Sequence, residues 1–243
     1  MDWQALALAC RRANAAYIEN DGDSKAAFYA LGDTWISQLQ DESHQAVLSV
    51  DKAGATWLSI SGTRASDGQL ADVWRDVALT PVSIKGGHVT RGAQSGMVHV
   101  FDWAMSTAPV GTVFNLTGHS LGAVSVTLAP GYLAANQIGT ITSLAAPKFI
   151  AADFFVSHAA VFQRLTAVVS GADGWCSFPW FDSRWQCRAP TRTIWLKDDI
   201  GTFQVLIDGN QWPGGWRFGD HDIGHYQSRI ERIASLDLTP EAA

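Results

Sequence analysis

Residues 110–129, VGTVFNLTGHSLGAVSVTLA, decide how this chain is read. An apolar, β-rich run (110–117) leads into Gly118-His119-Ser120-Leu121-Gly122, and an apolar segment of small residues leads out. A serine between glycines at that spacing, with a strand before it and a helix after it, fits a nucleophile elbow. The turn is sharp, so bulky neighbours would clash, and glycine is needed on either side. The serine Oγ is thereby lifted clear of the backbone at the start of a helix whose dipole favours negative charge.

A serine hydroxyl is a weak nucleophile and needs a base oriented by an acid. On strand–turn–helix elbows of this kind the acid and then the histidine follow the serine along the chain. His158, His221 and His225 follow Ser120. His221 sits in the loop Gly-Asp-His-Asp before the last helical pattern, where an imidazole can reach the elbow. His225 falls in the first turn of that helix, and His158 precedes the expected acid. Asp173 directly follows the strand-like run RLTAVVS (164–170). Asp153, Asp182, Asp198 and Asp199 compete, the last two also following a strand.

Working outward, short β-rich runs alternate with helical periodicity. AVLSVDKAGATWLSIS (46–61) reads as two strands around a Lys-Ala-Gly turn. Residues 139–147, 164–170, 192–198 and 203–208 are further strands, the last antiparallel to its predecessor. Helices are expected over 94–106, from Asp222 onward, and over 66–79, where Ser66 and Gln69 have capping-box spacing. Near the N-terminus Trp3, Leu6, Cys10, Ala13 and Tyr17 share one helical face. Such alternation predicts an α/β fold of the α/β-hydrolase type, a mostly parallel central sheet with helices on both faces, over one domain spanning 1–243.

The 243 residues are 47% hydrophobic and 16% charged, enough for a sizeable core. A net charge of −6 and a pI near 5.5 speak against nucleic-acid binding. No clustered Cys/His spacing suggests a metal, and no cofactor is expected. Five of the 11 tryptophans (Trp3, Trp35, Trp57, Trp74, Trp103) fall in core-like segments; the other six lie between 175 and 216. Those six read equally well as packing of a loop-rich lobe or as the wall of an apolar pocket or lipid-facing rim. The apolar run near the N-terminus is too short for a secretory segment, so reduced thiols in a cytoplasmic compartment are the expectation. Cys176 and Cys187 bracket an aromatic loop that a bridge between them would close.

Over roughly 45–230 the chain resembles the class 3 (fungal-type) lipases. Gly118–Gly122 resembles that family's elbow, and Ile60-Ser61-Gly62-Thr63 its oxyanion-hole block. Asp76 and Pro81 are similar to the lid stretch. Ala146-Pro147 with Phe154 resembles the segment after the elbow helix. Asp173–Pro179 resembles the block opening with the triad acid, and Asp220-His221-Asp222-Ile223 with Tyr226 the block holding the catalytic histidine. The chain departs from the family at Ser61, at 90–93 and at Ala123. The resemblance implies an ester hydrolase, a lipase or esterase acting on lipid esters through Ser120, Asp173 and His221. It implies an oxyanion hole from the backbone N–H groups of Thr63 and Leu121, and a small-molecule lipid or ester substrate with transient lipid-surface contact. Segment 64–82 would be a lid, although its pattern suits a fixed surface helix equally well. A phospholipase or a silent hydrolase-fold binding protein shares most of these motifs.

Overall fold

The computed structural model describes residues 1–41, 44–63, 78–185, 187–199 and 201–236. Its framework is an eight-stranded sheet in the order β1-β2-β3-β6-β7-β8-β9-β10. The strands are β1 (Thr34–Gln40), β2 (Gln45–Val50), β3 (Thr56–Ile60), β6 (Phe114–His119), β7 (Ile138–Leu144), β8 (Leu165–Ser170), β9 (Thr193–Leu196) and β10 (Phe203–Leu206). β3, β6, β7, β8 and β9 run parallel, and antiparallel neighbours flank them at both ends. A separate hairpin joins β4 (Pro81–Ile84) to β5 (Gly87–Thr90).

The helices are α1 (Trp3–Ala15), α2 (Asp21–Leu31), α3 (Arg91–Gln94), α4 (Met97–Thr107), α5 (Leu121–Thr127), α6 (Ala152–Ser157), α7 (Ala159–Phe162) and α8 (Ile223–Ser235). Apolar side chains of α1 and α8 pack with Val168, Ile194 and Leu196 into one core. Those of α4, α5 and α6 pack with Leu58, Ile60 and Leu116 into the other. Helices therefore cover both faces, which is why β2 and β6 read as nearly continuous buried runs instead of alternating ones.

The strands expected from the sequence over 46–61, 139–147, 164–170, 192–198 and 203–208 form with small boundary shifts, β10 antiparallel to β9. The helix expected from residue 94 begins at Met97, because α3 and the left-handed Gly96 (φ 71°) interrupt it. The helix expected over 66–79 falls largely on residues 64–77, outside the described ones. The helices α2, α3, α6 and α7, strand β1 and the β4–β5 hairpin had no expectation behind them.

α1 is fastened to the sheet by a buried ion pair. Arg12 donates to both Asp33 oxygens at 2.7 Å, Ser49 Oγ donates to the same carboxylate at 2.9 Å, and the guanidinium lies 4.2 Å from the Trp57 ring centroid. Thr117 Oγ1 adds a bond to the Ala9 carbonyl at 2.9 Å. Removing one partner strands a buried charge. Arg12→Met is expected to lower the unfolding free energy by about 3–5 kcal/mol, and the double variant Arg12→Met/Asp33→Leu to recover most of that. Urea denaturation of the three proteins measures both; a double variant no more stable than the single one contradicts this account.

Candidate active site

Ser120 sits at the C-terminal end of β6, in the corner where α5 begins. Its φ of 59° and ψ of −126° are strained for a residue with a side chain. The surroundings hold it there. Its N–H donates to the Leu144 carbonyl at 2.9 Å, and Ala123 N–H returns to its own carbonyl at 3.0 Å. A Cβ on Gly122 would lie 2.2 Å from the Ile60 carbonyl oxygen, and one on Gly118 would lie 2.3 Å from that of Gly122. The two glycines of the motif are thus set by close backbone contact and not by their own dihedral angles.

His221 and Asp173 come to the serine from two other segments. His221 lies in a 3₁₀ turn (Phe218–His221) just before α8, and Asp173 in the turn after β8. His221 Nε2 is 2.8 Å from Ser120 Oγ, and His221 Nδ1 is 2.9 Å from Asp173 Oδ2. An ionised carboxylate can only accept, so Nδ1 carries the proton and Nε2 is left to accept from the serine. All three side chains are buried.

Burial alone would raise the Asp173 carboxyl. The His221 charge and hydrogen bonds from His221, Tyr226 and Cys176 outweigh it and hold the group below the usual carboxylate range. Tyr226 donates its hydroxyl to Oδ2 at 2.7 Å, Trp175 N–H donates to Oδ1 at 3.0 Å, and Cys176 donates its thiol to Oδ2 at 3.2 Å. Oδ2 therefore has three donors, and Oδ1 has Trp175 N–H with a longer approach of His221 Nδ1 at 3.1 Å.

Of the candidates for the acid and the base, the structure brings Asp173 and His221 to the serine and places the others elsewhere. Asp153 pairs with His88, Asp182 with Arg184 and Asp198 with Arg217. Asp199 lies in the turn between β9 and β10. His158 bonds the Lys85 carbonyl, and His225 is exposed on the first turn of α8. Leu121 opens α5, where first-turn N–H groups lack intrahelical acceptors. Thr63 follows Gly62, whose backbone lies against Ser120: a Cβ there would be 2.7 Å from the serine Cβ.

Sequence reasoning missed His119 as a member of the site. Its Nε2 is 2.8 Å from the His221 carbonyl and its Nδ1 is 2.8 Å from the Tyr17 hydroxyl. A carbonyl cannot donate, so Nε2 carries the proton and Tyr17 donates to Nδ1. Gly62 N–H donates to the same Tyr17 oxygen. Burial, reinforced by the neighbouring His221, pushes His119 down to about 3, so it stays neutral. The motif places His119 beside the nucleophile, but its partners 102 residues away in either direction leave no mark on local sequence.

Among the described residues, Asp173, Cys176 and His221 form the one group whose donor atoms lie close enough for a metal ion. The chemistry does not suit one. Burial and the Asp173 charge push the Cys176 thiol well up, whereas a metal takes the thiolate. All three free cysteines are unbridged, so the aromatic loop is not closed by Cys176–Cys187. Beneath α5 lies an apolar cleft of about 40 Å³ walled by Val124, Phe149, Ile150, Phe155 and Leu165. No helix among the described residues is long and apolar enough to cross a membrane.

The six tryptophans of 175–216 divide between the two readings of them. Trp175, Trp185 and Trp212 are buried and Trp195 is half-buried, while Trp180 and Trp216 are 41% and 63% exposed. Of the five expected in core segments, Trp3 is buried; Trp35, Trp57 and Trp103 are half-buried, and Trp74 lies outside the described residues.

No family model and no curated protein matches the sequence. Solved structures do resemble it. Lipase II from Rhizopus niveus is 14% identical with a TM-score of 0.68, over 90% of this chain and 92% of that one. The Lip2 lipase from Yarrowia lipolytica is 17% identical with a TM-score of 0.65, over 86% and 84%. A triacylglycerol lipase from Penicillium expansum is 14% identical with a TM-score of 0.63, over 91% and 95%. By its strand order and these likenesses, the chain has the α/β-hydrolase fold in the form that the fungal class 3 lipases share.

Proposed function

We propose that the protein is a serine carboxylic-ester hydrolase, a lipase or esterase, with Ser120, His221 and Asp173 as its catalytic triad. The observation that carries this reading is the buried hydrogen-bonded series Ser120–His221–Asp173, at 2.8 and 2.9 Å. His221 takes the serine proton as Oγ attacks the ester carbonyl carbon. Asp173 keeps the imidazole in the tautomer that can accept, and stabilises the imidazolium that forms. With His119 neutral, that imidazolium faces no second positive charge from its neighbour.

The negative charge on the carbonyl oxygen is met by the backbone N–H groups of Leu121 and Thr63. His221 then protonates the departing alcohol, and the acyl group stays on Ser120. Water, deprotonated by the same histidine, releases the acid. The reaction calls for no metal or cofactor. The substrate is a lipid or other small ester, and the exposed rings of Trp180, Phe181 and Trp216 suit transient contact with a lipid surface.

Hydrolysis of p-nitrophenyl esters of increasing acyl length, together with labelling by a fluorophosphonate probe, tests the reading. Wild-type protein should hydrolyse and label at Ser120. Ser120→Ala should do neither, and Asp173→Asn should lose on the order of 10⁴ in turnover. Folded wild-type protein that neither labels nor hydrolyses at any length would remove the proposal.

The site also fixes a pH dependence of stability. His119 has a folded pKa of about 3 against 6.5 for the ordinary side chain, so between these values the unfolded chain binds more protons. Its contribution is present above 6.5 and is lost as pH falls toward about 3. The depressed Asp173 adds a loss of the same sign once pH drops below the usual carboxylate range. The urea midpoint should therefore fall steadily below pH 6.5, and His119→Gln should flatten the upper part of that decline. An unchanged slope would rule out His119 as its source.

A further inference from the structure

Ala172, the residue before the triad acid, is held on both sides by the segment that carries the base. Arg217 N–H donates to its carbonyl at 2.9 Å, and its own N–H donates to Asp220 Oδ2 at 2.8 Å. Arg217 precedes the 3₁₀ turn Phe218–His221, and Asp220 stands directly before His221. The two bonds differ in kind. The first joins backbone groups and needs no particular side chain at 217, whereas the second depends on the carboxylate of Asp220. A single bond leaves the turn free to pivot about Ala172. A second one, three residues further along, fixes its direction.

Asp220 is itself held. Its Oδ2 lies 2.8 Å from Arg217 Nη2, and its Oδ1 lies 3.8 Å from Arg229 Nη2. Arg217 reaches on to Asp198, beyond β9, and Arg229, on α8, donates to Ser170 Oγ at the end of β8. Two carboxylates and two guanidiniums thus meet over the exit of β8, with their charges balanced. The Asp220 side chain is 12% exposed, against 60% for Asp198. The cluster closes over Gly171, whose φ is 51° and where a Cβ would lie 2.3 Å from Asp220 Oδ2. The carboxylate therefore presses on bare backbone, two residues before Asp173.

We infer that Asp220 is a positioning residue for the hydrolysis: through Ala172 it sets the His221 turn against the Asp173 loop, and so fixes the bond from His221 Nδ1 to Asp173. The effect on rate rests on the hydrolase reading; the effect on the bond does not. An imidazole that acts as a base must keep Nδ1 on the carboxylate while Nε2 faces the serine, and both together require the two loops in register. A displacement of about 1 Å, set by a residue away from the chemistry, can cost about 10²-fold in rate. Such a loss falls on kcat, because alignment counts in the transition state more than in substrate binding. Asp198 is the contrast within the same cluster. Its carboxylate pairs with Arg217 and lies 3.9 Å from Arg229, so it supplies the same charge without the bond to Ala172.

The test compares full-length wild-type protein with Asp220→Ala, Asp220→Asn and Asp198→Ala. Three readouts are taken: p-nitrophenyl ester kinetics, thermal melts, and the low-field proton NMR signal of His221 Nδ1–H, assigned by its absence in His221→Gln. Asp220→Ala is expected to lower kcat about 10²-fold with KM little changed, and to move or broaden the signal. Asp220→Asn, whose amide oxygen can still accept from Ala172, should recover most of the loss. Asp198→Ala should keep wild-type kcat. Wild-type kcat or an unmoved signal in folded Asp220→Ala overturns the proposal. So does a folded Asp220→Asn as slow as Asp220→Ala, or an equally slow Asp198→Ala, since either makes charge the cause in place of the bond. A kcat that falls only in step with the folded fraction marks a purely structural role and overturns it too. Wild-type protein that shows the signal but neither labels nor hydrolyses removes the hydrolase reading, and the NMR comparison then decides alone whether Asp220 places His221.

Discussion

The site depends first on a contact between backbones. α5 can begin immediately after Ser120 only because Gly122 lies against the carbonyls of Ile60 and Ser61 at the end of β3. That contact sets the helix against the sheet, holds the serine at positive φ and brings the Gly62–Thr63 strand exit beside it. Any side chain at 122 would push α5 away from β3, and the serine, the first-turn N–H groups and residue 63 would lose their relation to one another. The strain at Ser120 is small beside the packing that enforces it.

Around this corner, polar groups are buried and nearly all matched. Asp173 has four donors, His221 is used at both ring nitrogens and through its carbonyl, and His119 at both ring nitrogens. In a low-dielectric interior a satisfied network of this kind is rigid, and a partly satisfied one is costly.

Much of this was legible in the sequence where the local pattern and the global fold demand the same thing. Residues 110–129 announce strand, turn and helix because each of those elements is short, buried and continuous, and the glycines have no other use. Asp173 and His221 followed from their positions after β8 and before α8, since an elbow at the end of a parallel strand can be reached only from neighbouring loops. The misses have physical reasons. β1, with the pattern TWISQLQ, is half exposed and polar on both faces, so pairing with β2 creates it more than its own propensity does. In α2 only Ser24 and Phe28 are buried, too narrow a stripe for helical periodicity to stand out. Three buried indoles could not be told from two exposed ones, because loop tryptophans carry no periodic pattern to read.

The bond from Tyr17 to His119 has a consequence for how such sequences can diverge. Tyr17, Gly62, His119 and His221 lie far apart along the chain, yet they share one buried set of donors and acceptors. Gly62 and His221 join through backbone groups that any residue keeps, so it is replacing Tyr17 or His119 alone that leaves a buried polar group without its partner, which costs more than replacing both together. Tyr17 and His119 are therefore expected to be inherited as a unit: lineages should keep both or exchange them jointly, and an isolated change at one should come with a compensating change at the other. In a fold whose solved relatives share only 13–17% of their residues with this chain, such linked positions would outlast the average site.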